Sequence, residues 1–376
     1  MRQLRPGGVY LEGLKGALAL LLCLVVSACS LGGQSEPPAL SGIPSAPSGM
    51  QSGSPILNDT PPAEGTLLPG QQIWKQGASS FLFGTNDTQE WSDNNVETNP
   101  AIQQALKDAH FTLMRTFFFD KSLADGHATT DAEIEQRIKT IENSGMVCLG
   151  VLVNIMNVAF AEHVVRYLGS RCNLYEFGNE SDYYGVTVED YLKQWNTVIP
   201  LLRQINPQAK FIGPATYNDY GNQCHYDPGY THCFMQDFLT GVKASHVLPD
   251  AISFHWYPCY NDSEASCLAR ASTYAEVTAE VKWWVKSILG KDLPVGITEW
   301  NYDPSVPPPK YSSTFIQQFS ITALRSMIQA KLDFANQFDA LSYSGYGAQD
   351  MFDLEQQGQP KAQYYAIKTI ISEYRP

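Results

Sequence analysis

Leu174-Tyr175-Glu176-Phe177-Gly178-Asn179-Glu180 is a short run of buried character that stops at a glycine and ends on a glutamate. About a hundred residues later Val295-Gly296-Ile297-Thr298-Glu299-Trp300-Asn301 has the same form. Each run has the length and the β-branched or aromatic content of a strand covered on both faces, which is how parallel strands read. Similar runs occur at Phe81–Gly84, Thr112–Phe117, Met146–Val153, Lys210–Gly213, Ala251–His255 and Ala340–Ser344, with helix-like segments between them.

Those segments carry start and stop signals. Asn99-Pro100 sets a capping side chain before a proline suited to the first helical turn. Thr130-x-x-Glu133 and Thr273-x-x-Glu276 have the form of capping boxes, and Gly145, Gly169 and Gly290 stand where helices should end. Eight βα units in succession, with no glycine-rich phosphate loop after the first strand, predict a (β/α)8 TIM barrel of class α/β.

The N-terminal part is read as export machinery rather than fold. Arg2, Arg5 and Lys15 flank the apolar run Ala17 to Val26, which is shorter than the roughly 20 residues a spanning helix needs. It leads into Val26-Ser27-Ala28-Cys29, which looks like a lipobox whose Cys29 would carry the lipid; an ordinary cleavage site is the other reading. Residues 29–70 are rich in Ser, Gly and Pro, as in a flexible tether, and residues 71–376 would form one catalytic domain. The expected location is therefore outside the cytoplasm, at a cell surface or in a periplasm, with a membrane reached only through the lipid anchor.

A formal net charge of −13 without any Lys/Arg-rich stretch argues against a nucleic-acid partner. The chain is read as a monomer. Of eight cysteines, Cys148, Cys172, Cys224, Cys233, Cys259 and Cys267 remain beyond the leader, an even number that suits disulfides in an oxidising compartment. Cys224 with Cys233 and Cys259 with Cys267 would close small loops, and Cys148 would face Cys172 across neighbouring strands. Cys224, His225, His232 and Cys233 could instead hold zinc, so both readings stand.

A barrel carries its chemistry at the C-terminal ends of its strands. There this sequence places Arg115, Asn179-Glu180, His255-Trp256-Tyr257, Glu299-Trp300-Asn301 and Tyr343 to Tyr346. Two glutamates on one rim supply what glycosidic-bond hydrolysis needs, a protonated acid for the leaving oxygen and an ionised carboxylate facing the anomeric carbon. Arg115 would keep Glu299 ionised, and Asn179 would bond a sugar hydroxyl. His255 would orient a carboxylate, bond a hydroxyl or merely fill the core. Trp256, Tyr257, Trp300 and Tyr346 would offer aromatic surface to the sugar. A barrel of this kind could also bind carbohydrate without turnover, but the intact glutamate pair argues against that. Neither a metal nor an organic cofactor is expected.

The motifs Glu176-Phe177-Gly178-Asn179-Glu180, Phe254-His255-Trp256-Tyr257 and Ile297-Thr298-Glu299-Trp300 together resemble the clan A glycoside hydrolases, nearest to the group around families 39, 79 and 128. The resemblance spans roughly residues 78 to 373. It implies a retaining β-glycosidase, with Glu180 on strand four as acid/base and Glu299 on strand seven as nucleophile. Two departures stand out: Ser181 follows Glu180 where the clan more often has proline, and the region after strand eight offers tyrosines rather than a tryptophan.

Overall fold

The computed structural model describes residues 67–87, 96–121, 126–217, 233–305, 310–341, 349–353 and 356–376. All of them belong to the compact unit Asp59–Pro376. Eight parallel strands close into a barrel in sequence order: β1 Gly84–Asp87, β2 Leu113–Phe118, β3 Val147–Leu152, β4 Leu174–Phe177, β5 Lys210–Thr216, β6 Ala251–Trp256, β7 Val295–Trp300 and β8 Phe334–Gln337. Helices return the chain between them. They are α1 Pro100–Asp108, α2 Asp131–Asn143, α3 Val158–Leu168, α4 Val188–Ile205, α5 Phe234–Ser245, α6 Glu264–Arg270, α7 Thr273–Leu289, α8 Ser313–Gln329 and α9 Ala362–Tyr374. A short antiparallel pair, β9 Phe352–Asp353 with β10 Gln359–Pro360, precedes α9. Among the described residues no helix is long and apolar enough to cross a membrane.

The caps form as the local sequence dictates. Asn99 accepts from the backbone N–H groups of Ala101 and Ile102 ahead of α1, and Thr130 with Glu133 completes a capping box on α2. Gly290 ends α7 in a left-handed conformation. Thr273 does not cap: Ser272 holds that position, and the Thr273 hydroxyl accepts from the Trp256 indole N–H instead.

Two strands lie elsewhere than the sequence suggests. β1 starts at Gly84, and Phe81 and Leu82 form a turn beneath it. β8 is Phe334–Gln337 rather than Ala340–Ser344, and 342–348 fall outside the described residues. The cause is common to both. Asn86, Asn336 and Gln337 are fully buried, so these strands lack the apolar run that marks the others.

The barrel interior is apolar at its lower end. Leu68, Phe81, Leu113, Leu149, Leu174, Ile212, Ala251 and Phe334 pack there as one cluster. Two disulfides tie the scaffold. Cys148–Cys172 joins β3 to the residues before β4, with Cα atoms 5.2 Å apart, and Cys259–Cys267 pins the loop after β6, with Cα atoms 5.5 Å apart. Cys233 is also disulfide-bonded, while Cys224, His225, His232 and Cys29 lie outside the described residues.

Candidate active site

Strand alternation raises the site directly above that apolar plug. Residues two apart on a strand share a face. Arg115 therefore stands above Leu113 on β2, and Glu176 above Leu174 on β4. Both charged side chains are completely buried, which is tolerable only when every charge is paired and hydrogen-bonded.

Arg115 meets that demand with all five N–H groups. Its Nε donates to Glu176 Oε2 at 2.6 Å, and Nη1 donates to Asn86 Oδ1 at 2.9 Å and Glu299 Oε1 at 2.7 Å. Its Nη2 donates to Asn179 Oδ1 at 2.6 Å and faces His255 Nε2 at 3.4 Å. The guanidinium also lies 4.7 Å from the centre of the Phe117 ring. Glu176 takes a further bond from the Thr298 hydroxyl at 2.8 Å, and Asn86 donates to the Thr298 carbonyl at 3.0 Å. The arginine is thus held from β1, β4 and β7 at once.

Local backbone sets the two glutamates. β4 ends at Phe177, and Gly178 turns the chain with φ 83°; a Cβ there would lie 2.8 Å from Ser181 Oγ. Glu180 itself has φ 47°, a left-handed conformation that costs a non-glycine residue about 1–2 kcal/mol. Its N–H donates to the Ala215 carbonyl at 2.9 Å, near the end of the neighbouring β5, which fixes the unusual geometry. On β7 the register against β6 shifts between the Phe254–Ile297 and His255–Glu299 pairs. This bulge turns both Thr298 and Glu299 toward the interior, where one bonds Glu176 and the other Arg115.

The environments of the two carboxylates differ. Glu299 receives a donor on each oxygen, Arg115 on Oε1 and the Tyr257 hydroxyl on Oε2 at 3.0 Å. Glu180 touches neither; His255 Nδ1 lies 2.8 Å from its Oε1. Burial pushes the Glu180 carboxyl up to about 7, with Arg115 opposing and Glu176 adding to the rise. Burial likewise pulls His255 down to about 4, so its ring is neutral near pH 7. Because Arg115 can only donate to Nε2, the ring proton belongs on Nδ1 and points at Glu180. One oxygen of each glutamate and one His255 nitrogen all lie within 4.8 Å of one another. That trio is also a donor set for a cation, though the buried Arg115 already supplies positive charge to Glu299.

Arg115, Asn179, Glu180, His255, Tyr257 and Glu299 are therefore brought together. Tyr257 bonds the Glu299 carboxylate, rather than serving only as sugar surface. Trp256 and Trp300 take no part. Trp300 is fully buried against Tyr274 of α7, and Trp256 is buried with its indole on Thr273. Each directly follows an inward residue, His255 or Glu299, and so points to the helix layer. Tyr346 lies outside the described residues. Sequence reasoning gave no role to Asn86, Glu176 or Thr298. Glu176 was discoverable: a carboxylate amid the apolar residues of a buried strand requires a cation, and Arg115 has the same anomaly.

No family model matches the chain, and no curated protein matches it. Solved structures do share the fold. A glucosidase from Croceicoccus marinus is similar with TM-score 0.59 at 16% identity, over 77% of this chain and 67% of that one. A family 39 glycoside hydrolase from Bacteroides cellulosilyticus WH2 gives 0.55 at 16% identity, over 78% and 64%. AbfB, a family 51 α-L-arabinofuranosidase from Bifidobacterium longum, gives 0.57 at 12% identity, over 77% and 72%. The barrel is thus one that glycoside hydrolases use, family 39 included, as the sequence motifs suggest. The chain spans about two thirds of the length of the first two.

Proposed function

We propose that this protein is a retaining β-glycoside hydrolase. The observation that carries the reading is the convergence of Glu180 and Glu299, with oxygens within 4.8 Å, in opposed environments. Retaining enzymes hold their carboxyl groups about 5–5.5 Å apart, whereas inverting ones leave room for water at about 6.5–9.5 Å. Glu299, held by Arg115 and Tyr257, attacks the anomeric carbon as the bond to the leaving oxygen breaks. Glu180 gives its proton to that oxygen. In the second half Glu180 takes a proton from water, the resulting hydroxyl attacks the anomeric carbon, and the ester to Glu299 breaks.

Loss of the negative charge at Glu299 on ester formation removes a repulsion that disfavours the Glu180 carboxylate, and so favours its switch to base. Asn179 keeps its Oδ1 on Arg115, which leaves its amide N–H groups for the sugar 2-hydroxyl. Attachment to a membrane through a lipid on Cys29 is part of the same proposal; mass spectrometry of the mature N-terminus, finding Cys29 unmodified, would exclude it.

Azide tests the assignment. With an activated aryl β-glycoside, Glu180→Ala should be rescued by azide and yield the β-glycosyl azide. Glu299→Ala should yield the α-glycosyl azide. Exchanged products would reverse the roles, and wild-type activity in both variants would place the chemistry elsewhere.

A further inference from the structure

Three tyrosines that the chemistry leaves unused meet beside Glu180. Tyr183 lies on the turn after Glu180, Tyr217 directly follows β5, and Tyr260 is on the loop after β6. The rings of Tyr183 and Tyr217 stand 4.8 Å apart, and the hydroxyls of Tyr217 and Tyr260 are 3.3 Å apart. The cluster is therefore continuous across three loops, yet Tyr183 and Tyr260 keep 51% and 46% of their surface open.

Backbone contacts tie the segments that carry Tyr183 and Tyr217 to the acid. Both Asp182 oxygens accept the Tyr217 N–H, at 3.1 and 3.2 Å. The Tyr184 N–H donates to the Glu180 carbonyl at 3.1 Å, and the Val186 N–H to the Ser181 carbonyl at 2.9 Å. Glu180 is in turn bonded to Ala215, two residues before Tyr217. Scattered exposed aromatics are ordinary, but contiguous ones beside a candidate site suit a ligand with apolar faces and hydroxyl edges. A pyranose ring has both.

We propose that Tyr183, Tyr217 and Tyr260 form the platform for a sugar unit on the leaving-group side of the scissile bond, so that the leaving group is itself a saccharide. This rests on the roles assigned to Glu180 and Glu299. The nucleophile approaches opposite the leaving oxygen, so that oxygen points away from Glu299 and toward Glu180. A sugar beyond it meets the loops after β4, β5 and β6, where the tyrosines stand.

The test compares two substrates with the same glycone, an activated aryl glycoside and an oligosaccharide. Tyr183→Ala and Tyr260→Ala should each lower kcat/KM for the oligosaccharide roughly 3- to 10-fold more than for the aryl glycoside. Tyr183→Phe, which keeps the ring, should restore the ratio. Equal losses on both substrates, or none, would overturn the platform while leaving the glycosidase reading intact. Failure of the wild type to cleave any glycoside would overturn both.

Discussion

The lower and upper halves of the barrel interior are built from opposite materials on the same strands. Leu113 and Arg115 are two residues apart on β2, and Leu174 and Glu176 two apart on β4; all four are buried to 1% exposure or less. Below, leucine and phenylalanine side chains fill space, and their contribution scales with area and fit. Above, Asn86, Arg115, Glu176 and Thr298 form a connected network of donors and acceptors that reaches Glu299 and Asn179. Removing one partner there strands a charge, whereas trimming one side chain below leaves only a cavity.

Substitutions at the two levels break or sharpen that contrast. Glu299→Ala should cost at least about 10⁴-fold in kcat, about 5 kcal/mol of transition-state stabilisation, with the fold intact by circular dichroism. Loss of activity paralleled by unfolding would mean that Glu299 is structural. Glu176→Gln should destabilise by about 3–5 kcal/mol in urea and also reduce activity, since it frees Arg115 from its short ion pair. Stability unchanged in that variant would show the polar half to be less tightly coupled than its geometry implies.

Leu149→Ala, in the lower half, should cost about 3 kcal/mol of stability with kcat/KM held within a fewfold. A large loss of activity there would erase the division between plug and site. Replacing Cys148 and Cys172 by serine should lower stability by a similar or slightly smaller amount, about 2–3 kcal/mol, because the bridge constrains a 24-residue separation in the unfolded chain.

The last effect, comparable to that of the bridge, concerns pH. Glu180 binds its proton more tightly folded than at its ordinary value of 4.5, so its contribution is fullest below 4.5 and is lost as pH rises through about 7. His255 runs the other way: its contribution is present above 6.5 and lost as pH falls through about 4. Glu180→Gln removes only the first. Wild type should thus lose about 2–3 kcal/mol relative to that variant between pH 4.5 and 7, read from urea curves across the range. On the proposed roles, the same proton should set the basic limb of kcat/KM near pH 7, and a profile unchanged through that pH would count against Glu180 as the acid.

Six strands were legible because both their faces are covered by apolar neighbours. β1 and β8 were not, since Asn86, Asn336 and Gln337 replace the expected side chains with buried amides that bond the Thr298 carbonyl, the Thr85 carbonyl and Gln363 of α9. The glutamates were legible from their position at strand ends. The two tryptophans were misread because composition was weighed above alternation: with His255 and Glu299 facing in, the next residue must face out. The tyrosine cluster required three loops to meet, and no single stretch of sequence holds that fact.

Arg115 and Glu176 form an ion pair that the proposed reaction never disturbs. In that proposal the resting anionic charge is assigned to Glu299 and the proton to Glu180. In the glycosyl-enzyme Glu299 is an ester and Glu180 the anion, while Arg115 still has Glu176 at 2.6 Å. The cluster therefore carries one net negative charge in both states. Only the location of that charge changes, by the width of a sugar's reactive carbon. A buried interior that responds slowly to new charge is asked to accommodate none, and the dipoles around it can stay where folding left them.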